Sequence, residues 1–240
     1  MKTVLITGAN RGIGFETAKQ LAQLDYFVYI GSRDKEKGQR AKQELKSEGL
    51  RNVDVLEFDV TNIDSIRKAR QTLEAGVTKL DVLINNAGIR GELPQVASNM
   101  PIEGLREIFE TNFFGVIKVT QEFMPLLKKA EVPIILNVTS DLGSLTLRSD
   151  PGWQYYQLER AGYGSSKTAL NAYTVALAFE LRDTKFKVNC VNPGYTATEF
   201  NNYKGTKSVA QGASVIVKYA ILGEKGATGK YFSEEGETPW

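Results

Sequence analysis

Short apolar runs alternate along this chain with longer segments in which apolar residues recur at helical spacing. Several of the short runs are rich in β-branched residues and apolar on consecutive positions, as strands covered on both faces are. They occupy residues 3–7, 27–30, 54–57, 82–85, 134–139 and 187–191. The helical segments occupy residues 12–24, 34–48, 63–75, 102–130 and 163–181. This alternation predicts an α/β Rossmann fold, a doubly wound parallel sheet of about seven strands with helices on both faces.

The chain shows no internal repeat, low-complexity tract or linker, so residues 1–240 are expected to form a single domain. Two irregular stretches, residues 141–162 and 195–208, follow predicted strands at the carboxyl edge of the sheet. Ligands bind at that edge in open α/β sheets, so both stretches are candidate substrate loops. Ordinary surface loops are the alternative interpretation.

Composition excludes several classes of function. Lys and Arg number 30 against 28 Asp and Glu, and the net charge of +2 provides no strong field for nucleic acid or an anionic membrane. The chain has no His and only Cys190, which excludes Ser-His-Asp and Cys-His catalysis, a His or multi-Cys zinc site and an intrachain disulfide. No metal is therefore expected. The unpaired cysteine, and the lack of an export signal or a long apolar stretch, lead us to expect a cytoplasmic protein.

A glycine-rich turn links the first predicted strand to the first helix. Glycines at 8, 12 and 14 permit a tight turn, let the backbone approach a pyrophosphate and allow close packing of helix on strand. Because the turn stands in this strand-turn-helix context, we expect a dinucleotide site here rather than a plain glycine-rich turn. The expected contacts are Gly8, Asn10, Arg11, Gly12, Ile13 and Gly14.

The end of the second strand bears on the choice of cofactor. An acidic residue there binds the ribose 2′-hydroxyl of NAD, but this chain has Gly31-Ser32-Arg33. Arg33 offers a planar fork suited to a 2′-phosphate, with Arg11 and Lys37 nearby, so the sequence predicts a preference for NADP(H). The alternatives are that these cations are solvated surface charges and that the neighbouring Asp34 caps the next helix.

Tyr163 and Lys167 stand four residues apart in a predicted helix, so their side chains share one face. A free tyrosine has a pKa of about 10, too high for an efficient proton shuttle at neutral pH. An adjacent ammonium, joined by the positive nicotinamide when the cofactor is oxidised, favours the phenolate and lowers that pKa. We therefore expect Tyr163 to act as the general acid in reduction and the general base in oxidation.

These segments, with others, resemble the short-chain dehydrogenase/reductase family, in the same order and over nearly the whole chain. The matching motifs are the turn at 7–14, Asp59-Val60, Asn85-Asn86-Ala87-Gly88, Asn112, Ser140, Tyr163-x-x-x-Lys167 and Pro193-Gly194. Residues 32–89 look most like the NADPH-dependent carbonyl reductases. The resemblance implies a hydride transfer between NADP(H) and a small-molecule carbonyl or alcohol, with the reacting chemistry supplied by the cofactor.

The resemblance also implies roles for individual residues. The catalytic set would be Asn112, Ser140, Tyr163 and Lys167. Ser140 would donate its hydroxyl to the substrate carbonyl, and Asn112 would hold a water against Lys167, although a buried Asn satisfied by backbone groups is the alternative for position 112. The implied cofactor contacts beyond the glycine turn and Arg33 are Asp59 and Val60 at the adenine, Asn86, Ala87 and Gly88 along its ribose, Tyr163 and Lys167 at the nicotinamide ribose, and Pro193, Gly194, Thr196 and Thr198 at the carboxamide.

Ser140 and Tyr163 lie 23 positions apart, a longer separation than the simplest family members have. In the carbonyl-reductase branch a longer insertion here accompanies monomers. The insertion in this chain is of intermediate length, which leaves monomer and homo-oligomer open.

Leu142, Trp153, Tyr195 and Phe200 are expected to line an apolar substrate pocket, or alternatively to be packing residues. The leading hypothesis is a reductase of ketones and aldehydes. The alternatives are a steroid, quinone, terpenoid or acyl-carrier keto substrate and, remotely, a non-catalytic NADP(H) sensor.

Overall fold

The computed structural model describes residues 1–240 and contains one eight-stranded sheet. The strands are β1 (Thr3–Ile6), β2 (Phe27–Ser32), β3 (Val53–Glu57), β4 (Val82–Asn85), β5 (Ile134–Val138), β6 (Lys187–Val191), β7 (Tyr231–Ser233) and β8 (Gly236–Glu237). Their order across the sheet is β3-β2-β1-β4-β5-β6-β7-β8, with only β8 antiparallel to its neighbour. The predicted α/β Rossmann fold with a doubly wound, mostly parallel sheet is confirmed.

The helices are α1 (Gly12–Gln23), α2 (Lys35–Ser47), α3 (Ile63–Gly76), α4 (Ile102–Phe109), α5 (Gly115–Leu127), α6 (Leu145–Arg148), α7 (Ala161–Glu180) and α8 (Val209–Ala220). They cover both faces of the sheet, because successive strand residues point to opposite sides. On β1, Val4 and Ile6 belong to the core beneath α1, α2 and α8, whereas Leu5 belongs to the core beneath α3, α5 and α7. The two cores contain 23 and 18 buried residues respectively.

The order of the strands reverses at β1, which pairs with β2 on one side and with β4 on the other. The chain leaves β1 and β4 in opposite directions across the sheet, so a crevice opens at their carboxyl ends. The segments that follow β1, β4, β5 and β6 all meet at this crevice. This topology therefore brings the expected site residues to one edge of the sheet.

The structure differs from the prediction in the number of strands, in one additional helix and in one helix that is interrupted. The sheet has eight strands rather than about seven, and β7 and β8 were missed because they are only three and two residues long. Helix α8, of 12 residues, was also not predicted. The helix predicted over 102–130 is interrupted by a π-helical turn at Glu110–Phe114. Such turns insert a residue into the helical ladder and often occur at functional sites. Here the turn contains Asn112.

The predicted loops contain short ordered elements. The 141–162 stretch includes a 3₁₀ turn at Asp141–Gly143 and helix α6, and the 195–208 stretch includes a 3₁₀ turn at Glu199–Asn201. None of the helices combines the length and the hydropathy that crossing a bilayer demands.

Candidate active site

The glycine turn after β1 adopts a conformation that side chains oppose. Gly8 and Gly12 have φ of 63° and 59°, in the left-handed region that favours glycine. A Cβ on Gly14 would lie 2.5 Å from Nδ2 of Asn86 and 2.7 Å from the carbonyl oxygen of Gly8. Asn86 in turn donates hydrogen bonds to the carbonyls of Thr7, at 2.9 Å, and Gly8, at 3.1 Å. The end of β4 thus locks the turn against β1.

Helix α1 begins at this turn with no side chain capping its first backbone N–H groups. Uncapped N–H groups and the positive end of the helix dipole attract anions. At the start of a helix that follows a glycine-rich turn, these N–H groups fit the pyrophosphate of a dinucleotide. The residues present therefore match the cofactor that the sequence implies.

A cleft of about 1120 Å³ extends along the carboxyl edge of the sheet. This volume is large enough for a dinucleotide beside a substrate, since pockets for drug-sized ligands have volumes of about 300–1,000 Å³. Every residue expected to contact the cofactor lines it: Gly8, Asn10, Arg11, Gly12, Ile13, Gly14, Arg33, Asp59, Val60, Asn86, Ala87, Gly88, Tyr163, Lys167, Pro193, Gly194, Thr196 and Thr198. Ser140, Leu142, Tyr195 and Phe200 line the same cleft.

The expected cluster of three cations is not assembled at the end of β2. Arg33 lines the cleft and has no carboxylate within ion-pair distance, but Arg11 is paired with Glu199. Lys37 lies outside the cleft lining and pairs with Asp34 at 3.4 Å. Asp34 accepts a hydrogen bond from the backbone N–H of Lys37 at 3.0 Å and so caps α2, as the alternative interpretation held. Arg33 alone remains free to meet a phosphate.

Tyr163 and Lys167 lie on one face of α7, as their spacing predicts. The Lys167 ammonium is 5.8 Å from the centre of the Tyr163 ring and donates a 2.8 Å hydrogen bond to the carbonyl of Val138. This bond ties the lysine to the end of β5. The backbone N–H of Tyr163 donates to Oε1 of Gln95 at 2.9 Å, which anchors the start of α7 to the segment after β4.

Burial governs the titration of this pair. It raises the pKa of Tyr163 to about 12, although a hydrogen bond from Ser140 acts in the opposite direction. It also lowers the pKa of Lys167 to about 8. The sequence predicts a lowered tyrosine pKa. In the protein without its cofactor the pKa is raised instead, because desolvation of the phenolate outweighs its stabilisation by neighbouring groups. A phenol that stays protonated at neutral pH is nevertheless suited to donating a proton.

Ser140 follows β5 and faces the cleft beside Tyr163. Its neighbour Thr139 also stands at the strand end, but the Thr139 hydroxyl donates to Oδ1 of Asn171 at 2.7 Å and is occupied there. Ser140 Oγ accepts only a long bond, 3.3 Å, from the backbone N–H of Leu142. The Ser140 hydroxyl lies within hydrogen-bond reach of the Tyr163 phenol in the cleft, whereas the Thr139 hydroxyl is bonded to Asn171, so the structure favours Ser140 over Thr139.

Asn112 is fully buried in the π turn and does not line the cleft. Its Nδ2 donates to the carbonyl of Ile89 at 2.9 Å and to Oγ of Ser166 at 3.1 Å, while its Oδ1 accepts from the N–H of Ile89 at 2.8 Å. These contacts, two to backbone groups and one to a side chain, fit the alternative interpretation of a satisfied buried Asn, and the role of Asn112 in holding a water against Lys167 stays a prediction. Asn112 links the segment after β4 to α7 through Ser166, the residue that precedes Lys167.

The substrate loops bring aromatic rings to the cleft, with one exception. Phe200 lies 5.7 Å from the Tyr163 ring, and Tyr195 packs against Tyr155 at 5.9 Å. Trp153 does not line the cleft; it packs behind Tyr155 at 5.4 Å. The expectation for Trp153 is therefore wrong, because the adjacent Tyr155 takes the inner position.

Sequence reasoning missed several lining residues. Tyr155 and Leu158 belong to the insertion already singled out, so its other aromatic and apolar positions were the available signal. Leu93 and Arg90 come from the segment after β4, where no motif marks them. Their contribution depends on the path of that segment across the sheet edge.

A model of the short chain dehydrogenase family matches residues 2–208. The chain belongs to the short-chain dehydrogenase family. Among curated relatives of this short-chain dehydrogenase, the short-chain dehydrogenase anuI of Penicillium roqueforti is 37% identical over 239 residues, covering 97% of this chain and 94% of the relative. Salutaridine reductase of Papaver bracteatum is 30% identical over 297 residues, with coverage of 97% and 94%.

Solved structures of other proteins share the fold of this short-chain dehydrogenase. NADPH-bound carbonyl reductase from chicken fatty liver superposes with a TM-score of 0.86 at 28% identity, covering 100% of this chain and 99% of that one. Salutaridine reductase from Papaver somniferum superposes with a TM-score of 0.85 at 28% identity, covering 98% and 100%. The chain is thus an oxidoreductase of a family that uses a nicotinamide cofactor, and its relatives include reductases.

Proposed function

We propose that this short-chain dehydrogenase is an NADPH-dependent carbonyl reductase that converts ketones or aldehydes to alcohols, reversibly. The observation that carries the proposal is the placement of Ser140 and Tyr163 side by side in the cleft, with the Lys167 ammonium 5.8 Å from the tyrosine ring. A hydrogen-bond donor, a proton donor and a cation thus converge on one position. Such a constellation serves to stabilise charge on a carbonyl oxygen as it develops.

In this proposal the cofactor, when bound, supplies the hydride to the carbonyl carbon. The Ser140 hydroxyl donates a hydrogen bond to the carbonyl oxygen and orients it. Tyr163 donates its phenolic proton to the same oxygen, which becomes the alcohol. The Lys167 ammonium then stabilises the phenolate left on Tyr163 until a proton returns from solvent. In oxidation, Tyr163 takes the proton back from the alcohol.

The proposed preference for NADPH rests on Arg33. Its guanidinium lines the cleft with no carboxylate partner, and the end of β2 presents no acidic group to the ribose because Asp34 turns away to cap α2. A free guanidinium binds a phosphate through two parallel hydrogen bonds. The NADPH in the chicken carbonyl reductase structure supports this assignment.

Uncharged aryl or bulky alkyl carbonyls are the proposed substrates. Leu142, Tyr195, Phe200, Leu93 and Leu158 line the cleft, and the Phe200 ring lies 5.7 Å from the Tyr163 ring. A pocket of this kind binds by burying apolar surface and orients the ligand through few polar groups. The salutaridine reductases and the carbonyl reductase among the similar proteins support reduction as the direction.

The test is the loss of NADPH absorbance with a panel of aryl ketones and aldehydes, for the wild type and for Tyr163→Phe. We expect the variant to lose at least about 100-fold in kcat, since general acid catalysis contributes roughly 10²–10⁴-fold, while it still binds NADPH. Tyr173→Phe is the matched control. Tyr173 lies on the same helix and burial raises its pKa to about 12 as well, but it does not line the cleft. Equal loss in both variants, or no turnover of any carbonyl by the wild type, would overturn the proposal.

A further inference from the structure

A second, polar cavity opens beside the reacting position. It has a volume of about 200 Å³ and shares its inner wall with the cleft through Asp141, Tyr155 and Asn192. It is lined mainly by polar side chains, among them Asp141, Gln154, Asn192, Thr206, Lys207 and Glu235. We call it the side pocket. The apolar wall described above does not account for it.

Asp141 is the acceptor at the junction of the cleft and the side pocket. It directly follows Ser140, and its Oδ1 accepts a hydrogen bond from Nδ2 of Asn192. Its second carboxylate oxygen has no hydrogen-bond partner in the protein. That oxygen is accessible to solvent, so it is free to accept a hydrogen bond from a ligand in the pocket.

The charges around the side pocket leave an excess of negative charge. Lys207 is its one lining cation, and Glu234 already pairs with it at 2.5 Å. Asp141 and Glu235 remain as lining carboxylates without a cationic partner of their own. Burial and the charge of Glu235 raise the pKa of Asp141 and outweigh the opposing effects of Lys207 and of the hydrogen bond from Asn192, so the carboxylate is held in an environment that disfavours its charge. A donor or a cation entering the pocket relieves that cost.

The side pocket lies within reach of a bound carbonyl. Asp141 is adjacent to Ser140 in the chain, and its charge acts on the Tyr163 phenol. A substrate whose carbonyl oxygen contacts Ser140 and Tyr163 can therefore extend a substituent past Asp141 without leaving the cleft. Apolar substituents gain nothing there, because they would displace water from carboxylates without replacing its hydrogen bonds.

Building on the proposed function, we propose that the side pocket binds a hydrogen-bond-donating substituent of the substrate, a hydroxyl or a protonated amine, and that Asp141 is the residue that selects it. Substrates of this enzyme are then carbonyl compounds with an apolar body and a donor group near the carbonyl. Asp141 contacts that donor directly.

The test uses three matched aryl ketones that differ only in one side arm, which ends in a methyl, a hydroxyl or an amino group. KM is measured with NADPH at neutral pH. We expect the hydroxyl and amino ketones to show KM values about tenfold lower than the methyl ketone, as a hydrogen bond to a charged group provides. In Asp141→Asn this preference should fall to about twofold or less. Added salt should weaken the preference for the amino ketone and spare that for the hydroxyl ketone, which distinguishes the two donors.

Two further variants control the comparison. Asp183→Asn makes the same change at an exposed position after α7 and should keep the preference. Glu235→Gln, also exposed, should weaken binding of the amino ketone about threefold while the hydroxyl ketone changes little. Should Asp141→Asn fail to fold, a threefold weakening in Glu235→Gln that is confined to the amino ketone supports the proposal. Equal KM values for the three ketones in the wild type, or a preference that survives in Asp141→Asn, would overturn it.

A binding measurement separates this proposal from the proposed function. Calorimetry with NADP⁺ in excess measures the affinity of each ketone without turnover, because the oxidised cofactor has no hydride to give. If the donor-bearing ketones bind about tenfold more tightly but none is reduced, the side pocket is as proposed and the reductase assignment fails. If all three are reduced with equal affinity, the reductase assignment stands and the side pocket proposal is wrong.

Discussion

Arg11 in the glycine turn and Glu199 in the 195–208 loop form an ion pair across the cleft, joining residues 188 positions apart. Both side chains are exposed, so the pair contributes little to stability, about 0.2–1 kcal/mol. Its position gives it a different significance. The Glu199 carboxylate pairs with the Arg11 guanidinium, which the sequence predicts to lie near the cofactor phosphates.

Glu199→Gln should therefore strengthen NADPH binding. Without the competing carboxylate, Arg11 becomes free to contact a phosphate of the cofactor, and we expect KM for NADPH to fall about two- to fivefold, the range of one exposed ionic contact. The melting temperature should change little. The same substitution at Glu224, which pairs with Lys185 at 3.2 Å on the surface, serves as the control. A higher KM for NADPH in Glu199→Gln would show instead that the pair helps to hold the cofactor.

Arg33→Ala should remove the preference for NADPH. The lost charge-assisted hydrogen bonds to the 2′-phosphate are worth about 1.5–3 kcal/mol, so KM for NADPH should rise about ten- to a hundredfold. KM for NADH, which lacks that phosphate, should stay within about twofold. Arg40→Ala removes an exposed arginine of α2 that pairs with Glu36, and it should leave both values unchanged. An equal rise for the two cofactors would place Arg33 outside the phosphate site.

Gly14→Ala should disrupt both folding and cofactor binding. The new Cβ would meet Nδ2 of Asn86 at 2.5 Å and the carbonyl of Gly8 at 2.7 Å, and the second of these contacts is with backbone. We expect a loss of about 1–3 kcal/mol in the free energy of unfolding and no detectable NADPH fluorescence enhancement. Gly223→Ala is the control, because a Cβ there meets nothing within 4 Å and its φ is not positive. Denaturant unfolding of both variants compares them directly.

The pH dependence of stability should report on Lys167. Burial lowers its pKa in the folded protein from 10.5 to about 8. Between pH 8 and 10.5 the unfolded chain therefore binds more protons at this position than the folded one, so this group makes the free energy of unfolding rise with pH over that window. Below pH 8 the lysine is charged in both states and its burial destabilises the fold.

Lys167→Met keeps the length of the side chain and removes the charge. We expect it to raise the free energy of unfolding below pH 8 by about 1–3 kcal/mol and to abolish the rise between pH 8 and 10.5, while turnover is lost. Chemical denaturation at several pH values, compared with the wild type, cancels the contributions of the other titrating groups. If the difference between the two proteins is independent of pH, the lysine is not held charged in a desolvated site.

Activity should also depend on the Lys167 charge. Tyr163, whose pKa burial raises to about 12, remains protonated through neutral pH, whereas Lys167 loses its charge as the pH rises through about 8. Since the ammonium stabilises the phenolate formed in reduction, kcat for ketone reduction should decline above about pH 8. Stopped-flow measurement of the hydride transfer across pH 6–10 checks this. A rate that is flat across this range would assign the stabilisation of the phenolate to another group.

Much of the fold follows from local pattern. The consecutive apolar residues of β1, β4 and β5 indicate strands covered on both faces, and the structure buries all of them. The conformations of Gly8 and Gly12 follow equally from the spacing in the glycine turn. Tyr163 and Lys167 share a helix face because helical geometry places residues four apart together. In each case the conformation is determined by residues that are close together in the chain.

Contacts between segments that are distant in the chain could not be predicted this way. Nothing near Arg11 indicates that Glu199 would pair with it, and nothing in the insertion distinguishes Tyr155, which faces the cleft, from Trp153, which packs behind it. The direction of the Tyr163 pKa shift also depends on how completely the assembled loops exclude water. By itself, then, the sequence determined most of the strands and helices and the positions of the reacting side chains along them, since backbone geometry and periodicity act over a few residues. Only the tertiary structure decided their partners, burial and charge environment, because these depend on where segments far apart in the chain come to rest against one another.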